Sequence, residues 1–288
     1  MTLLAGIICK DGIVVASDSQ TTWDSGKSWN ANKMTELEHP YGRALVAESG
    51  AEITSAAMVE ELVKLAGDKQ QFDEHKLSGL AELAVRKVRQ RLRAQNFECS
   101  SEELQDIIWK QELDSKIMIA HYDGNRPVID TIGLTAVIPK RAKSFFEAVG
   151  TGSDLATYLL TDLCTPKMDC RTASVTAVLV TEIVKRHDRY CGGPVKLGIL
   201  WLPENPVNRT PEGNFVVDAF RQYYRPPILL DRAEIDGIVQ MALEVEEVTK
   251  QKRAEIIREA LRRKSEELMK QHYPSQPYPE KGAESPTG

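Results

Sequence analysis

Thr2 is the first residue of this chain equipped for chemistry. Met1 precedes a small side chain, which suits removal by a methionine aminopeptidase. A chain beginning at Thr2 carries a hydroxyl nucleophile and, on the same residue, a free α-amine with a pKa of about 7.7–8.0 that can act as base. Taken alone, a Met-Thr start is common. Asp18 ends the apolar run Val15-Ala16-Ser17-Asp18. A lone buried carboxylate is costly, so Asp18 either caps a turn or has a partner. Lys33, taken alone, reads as a solvated loop charge. Gly150-Thr151-Gly152-Ser153 has the composition of a phosphate cradle at a helix N-terminus, but no Lys-Ser/Thr follows, and a structural turn fits better. His39, His75, His121, His187 and His272 are scattered without a His-x3-His pair, so no metal site is expected. Cys9, Cys99, Cys164, Cys170 and Cys191 form an odd set with no Cys-x-x-Cys, which suggests neither a zinc knuckle nor a disulfide framework.

These residues need a scaffold. Leu3 to Cys9 and Ile13 to Ala16 are apolar runs around Asp11-Gly12, a strong hairpin signal. With Asp11-Gly12 as the two turn residues, Asp18 faces Ala5 and lies roughly 10 Å along the ladder from Thr2. The runs are continuous rather than alternating, so both faces of this sheet are expected to be covered. A polar stretch with Trp23 and Trp29 precedes a strand at Arg43–Ala47. Amphipathic helices are predicted over residues 51–67 and 77–96, with a short third near Glu102–Glu112. Strands return at Ser115–Tyr122, Pro127–Ile132 and Ser144–Val149. Helices follow over 153–163, with Ser153 or Asp154 as N-cap, and over 172–187, then a strand at Val195–Leu202. This order implies an α+β sandwich of helix layer, two sheets and helix layer.

Composition narrows the function. The 288 residues are 42% hydrophobic, enough for one large core with an appendage or for two small domains. Lys and Arg total 37 against 42 Asp and Glu, a net charge of −5 that argues against a nucleic-acid binder. No apolar run approaches the ~20 residues of a membrane span, and the N-terminus lacks the charged leader of a signal peptide, so a cytoplasmic location is expected. Residues 231–272 interleave apolar positions with Glu, Lys and Arg as a long amphipathic helix, whose charges suit a partner-facing role. Residues 273–288 read as a disordered, Pro-rich tail.

Taken in order, several segments resemble one family. Thr2-Leu3-Leu4-Ala5-Gly6, Val15-Ala16-Ser17-Asp18-Ser19 and Asn32-Lys33-Met34 are similar to the start of a proteasome-type β subunit and of the bacterial peptidases HslV and Anbu. Gly150-Thr151-Gly152 resembles the family's Gly-Ser-Gly before a helix, and residues 186–193 its Arg-Asp-x-x-Ser-Gly-Gly. Ala47-Glu48-Ser49-Gly50 most resembles the Ser-Gly of Anbu. The resemblance spans about residues 2–202. It implies a four-layer αββα sandwich, the N-terminal-nucleophile (Ntn) hydrolase fold, as a domain over 2–230 with the helix and tail as extensions. It further implies Thr2, Asp18 and Lys33 as the catalytic set, with Asp188, Thr151 and Cys191 orienting the amine. Gly50 and Thr22 would serve substrate and oxyanion, although a strict count after Ala47 selects Glu48 for the oxyanion. Thr151 and Cys191 both stand where the family has Ser.

The implied activity is that of a threonine-type peptidase acting on peptides or unfolded protein inside a ring-like homo-oligomer, without cofactor or metal. Nothing in the chain resembles a nucleotide site, so an ATP-driven unfoldase feeding the ring would be a separate partner. Two alternatives stand beside it: an Ntn amidase acting on small amides, and a non-catalytic ring or scaffold subunit, which a retained Met1 would favour.

Overall fold

The computed structural model describes residues 2–23, 26–28, 31–96, 99–124, 126–202, 228–229 and 232–272. The predicted tail over 273–288 lies outside them. Among the described residues, twelve strands and six helices run in the order β1 (Leu3–Ile8), β2 (Gly12–Ser17), β3 (Thr21–Trp23), β4 (Gly26–Ser28), β5 (Met34–His39), β6 (Gly42–Gly50), α1 (Glu52–Ala66), α2 (Lys69–Gln95), α3 (Ser101–Lys110), β7 (Ser115–Asp123), β8 (Arg126–Gly133), β9 (Lys140–Arg141), β10 (Phe146–Gly150), α4 (Ser153–Leu163), α5 (Cys170–His187), β11 (Lys196–Trp201), β12 (Ile228–Leu229) and α6 (Arg232–His272). Two five-stranded sheets, ordered β10-β1-β2-β11-β12 and β5-β6-β7-β8-β9, are antiparallel throughout, with β3-β4 a separate ribbon. The fold is mixed α and β.

Alternation along each strand explains the continuous apolar runs. On β1 and β2, Leu3, Ala5, Ile7, Val14 and Ala16 enter a core shared with α4 and α5, whereas Leu4, Ile13 and Val15 enter a second core. On β6 and β7, Leu45, Ala47, Met118 and Ala120 line that same second core. Their neighbours Ala44, Val46, Ile117 and Ile119 pack with α1 and α2 in a third. Both faces of each inner strand are therefore apolar.

The first hairpin departs from its expected register. Ala5 faces Ala16, not Asp18, and the Cys9 N–H donates to the Gly12 carbonyl at 2.8 Å. Lys10-Asp11, not Asp11-Gly12, make the turn. Gly12 is needed for a different reason: a Cβ there would lie 2.6 Å from the Leu200 carbonyl oxygen and 2.7 Å from the Cys170 sulfur. The glycine permits close packing within a strand, and the shifted turn brings Asp18 opposite Leu3, one residue from Thr2 instead of three.

Three further expectations shift. The N-cap of α4 is Gly152, with no side-chain cap, rather than Ser153 or Asp154. The polar strand β5 was not anticipated; only Met34 and Leu37 of its side chains are core residues, so its apolar pattern is sparse. The first turns of α6 pack one face into the chain's own core. Ile235 and Ala242 are buried with Ile238 and Val239 beside them in the α4–α5 core, at the spacing of one helix face. The chain divides into a compact unit over Met1–Ala242 and a smaller one over Leu243–Gly288, where Val245 and Val248 are exposed. Among the described residues no helix is long and apolar enough to cross a membrane.

Candidate active site

The corrected hairpin register places Asp18 one residue beyond the end of β2, alongside the start of β1. Asp18 is fully buried, and its carboxylate is saturated with donors. Oδ1 accepts from Leu3 N at 3.0 Å and Lys33 Nζ at 2.9 Å; Oδ2 accepts from Gly192 N at 3.0 Å and Gln20 N at 3.3 Å. Lys33, one residue before β5, is 6% exposed rather than solvated. Its Nζ donates to Thr2 Oγ1 at 2.7 Å, to Asp18 Oδ1 and to the Gln20 carbonyl at 2.6 Å. Three acceptors around one nitrogen match the three protons of an ammonium. Burial lowers the Lys33 pKa, while the Asp18 charge opposes that shift.

Thr2 is held on both sides. Its carbonyl accepts from Thr151 N at 3.0 Å, and the following N–H is the one given to Asp18. That carbonyl contact requires Gly150, which sits at φ +109°; a Cβ there would fall 1.7 Å from the Thr2 oxygen. The loop read as a structural turn thus presses its backbone against the threonine.

A second group adjoins the first. Asp188 caps the C-terminus of α5, with Oδ1 accepting from Tyr190 N at 2.9 Å and Oδ2 from the Cys191 thiol at 3.6 Å. The Cys191 sulfur lies 3.8 Å from Thr151 Oγ1. Burial, aided by the Asp18 and Asp188 charges, pushes the Cys191 pKa to about 12, so it is a thiol and not a nucleophile. Backbone links join the groups: Thr151 N to Thr2 and Gly192 N to Asp18.

Six of the expected residues therefore gather as Thr2–Lys33–Asp18 and Thr151–Cys191–Asp188. Gly50 ends β6 at φ +106°. The Glu48 N–H donates to the Lys33 carbonyl at 2.9 Å, and strand alternation then points the Gly50 N–H to the same side of β6 as Lys33. The Glu48 N–H is thus occupied by the Lys33 carbonyl. Thr22 pairs with Lys27 in the β3–β4 ribbon, and its side chain lies outside the described residues. Sequence reasoning missed Gln20 and the clamping role of Gly192. Gln20 gives its N–H to Asp18 and its carbonyl to Lys33, and Gly192 its N–H to Asp18, so their side-chain types carried no signal; only the position of Gly192 within a matched motif did.

No protein-family model matches the chain, and no curated protein is similar to it in sequence. The fold, by contrast, is similar to solved structures of Anbu. The Gly-1 mutant of Anbu from Hyphomicrobium sp. strain MC1 is 13% identical, with a TM-score of 0.61 over 89% of this chain and 99% of that one. Anbu (ancestral beta-subunit) from Yersinia bercovieri is 14% identical, with a TM-score of 0.61 over 86% and 97%. At such identities the likeness is one of fold. It supports the HslV/Anbu type of architecture that the motifs resemble.

Proposed function

We propose that this protein is a threonine peptidase of the proteasome-like Ntn class, its two sheets and flanking helices forming the four-layer αββα sandwich. The observation that carries this reading is the 2.7 Å contact between Lys33 Nζ and Thr2 Oγ1, with Asp18 behind the ammonium. A buried cation on a threonine hydroxyl favours the alkoxide that nucleophilic attack requires. Removal of Met1 frees the Thr2 amine, which takes the hydroxyl proton directly or through a water. The oxygen then bonds to the scissile carbonyl carbon, the C–N bond breaks, and the same proton passes to the leaving amine. Water hydrolyses the resulting ester and regenerates Thr2. The Gly50 N–H stabilises the oxyanion, Thr22 contacts substrate, and the Thr151–Cys191–Asp188 group positions the terminal amine. The domain is assigned to residues 2–230, and a ring-like homo-oligomer hides the site from folded proteins, admitting peptides and unfolded chains.

Short fluorogenic peptides test the reading. Activity is expected to rise as pH passes through about 7–8, where a terminal amine loses its proton. A form with Met1 blocked from removal should be inactive, because its Thr2 nitrogen is an amide. Full activity with Met1 retained, shown by intact mass, would refute the proposal.

A further inference from the structure

We propose that Cys9, Asp11 and Cys170 form a binding site for a thiophilic divalent cation of the Zn2+ class. The site lies at the far end of the first sheet from Thr2, seven residues or roughly 20 Å along β1. Two sulfurs and one carboxylate oxygen lie within 4.8 Å of one another. Tetrahedral zinc with bonds of about 2.0–2.3 Å needs sulfur and oxygen donors roughly 3.5–3.8 Å apart. Small side-chain adjustments close that difference.

The surroundings are built for such a group. Cys9 is 5% exposed and Cys170 fully buried, whereas Asp11 is half-buried, and a water would complete four-coordination. Asp11 Oδ1 accepts from Cys170 N at 2.8 Å, which fixes the carboxylate beside the sulfurs. Gly12 keeps the space clear, since a Cβ there would lie 2.7 Å from the Cys170 sulfur. Cys170 is also the first residue of α5, where the helix dipole favours negative charge. A divalent cation balances two of the three negative charges, and the two thiol protons leave to solvent. The result pins the β1–β2 turn to the α4–α5 loop, where Lys10 N already donates to the Met168 carbonyl at 2.9 Å and Lys10 Nζ faces Asp169 at 3.6 Å. Spacing rules miss this site because 161 residues (170 − 9) separate the cysteines.

Cobalt(II) added to the full-length, reduced and chelator-washed protein is the probe. One equivalent should bind with a thiolate-to-cobalt charge-transfer absorption that zinc abolishes by displacement. Cys9→Ala and Cys170→Ala should each lose that band, and Asp11→Asn should weaken uptake at least about tenfold. Cys99→Ala, in a residue outside the cluster, should retain it. Should the cysteine variants fail to fold, wild-type protein still decides: zinc should shield Cys9 and Cys170 from alkylation, mapped by mass spectrometry. Cobalt binding without sulfur character, equal alkylation with and without zinc, or a Cys9–Cys170 disulfide in the unreduced protein would each overturn the assignment.

Discussion

Lys33 directs all three ammonium protons at protein acceptors, so its contribution is all-or-none. Replacement by Met leaves Asp18 buried without its counter-charge, and breaking a buried pair from one side costs about 3–5 kcal/mol. Urea unfolding of Lys33→Met should show that loss; an unchanged midpoint would mean that the three backbone donors to Asp18 suffice. The site residues were legible because Thr2, Asp18 and Lys33 bear reactive side chains in a recognisable order. Gln20 and Gly192 were not, because a backbone carbonyl or N–H is common to all residue types. His39 carries a pH prediction. Burial, and to a lesser degree His121, lowers its pKa to about 4; its Nδ1 accepts from Tyr41 N and its ring stacks on Phe72. Between pH 6.5 and 4 the unfolded chain binds the proton that the folded chain refuses, so stability is complete above about 6.5 and falls with pH by up to about 3 kcal/mol. His39→Asn should flatten that slope when urea midpoints are compared at pH 7 and 5.

At the level of elements, the helices were the most legible part, since their apolar positions recur at helical spacing over several turns. The first hairpin was legible in existence but not in register. Asp-Gly is a turn signal, yet Gly12 answers to Leu200 and Cys170, partners whose approach no local pattern encodes. Strand β5 escaped notice because Glu36 and Glu38 pair with Arg43 instead of being excluded from a strand. Helix α2 hides a kink at Lys76, held at φ 57° and ψ 176°, a region open mainly to glycine. Lys76→Gly should relieve that strain and stabilise the protein by about 1 kcal/mol, less whatever its exposed contact over Tyr41 contributes. A lower urea midpoint in this variant would show that the kink is not strained.

On the scale of the whole molecule, strand alternation and helix packing give a mixed α and β fold with two antiparallel five-stranded sheets, similar to the fold of Anbu. What the pattern did not reveal is that α6 begins as core. Ile235 and Ala242 close the α4–α5 face, so the case for a partner rests on later positions such as Val245 and Val248. Light scattering should report an oligomer at micromolar concentration; a fully active monomer would remove the enclosed-chamber part of the account. The central claim is that Thr2 is the nucleophile. Its most direct test is the rate of peptide hydrolysis by Thr2→Ala, with Met1 removal and assembly verified to equal wild type. The account predicts a fall to background, well beyond the about 10²–10³ that loss of an oxyanion donor costs. Hydrolysis by that variant at the wild-type rate would contradict it.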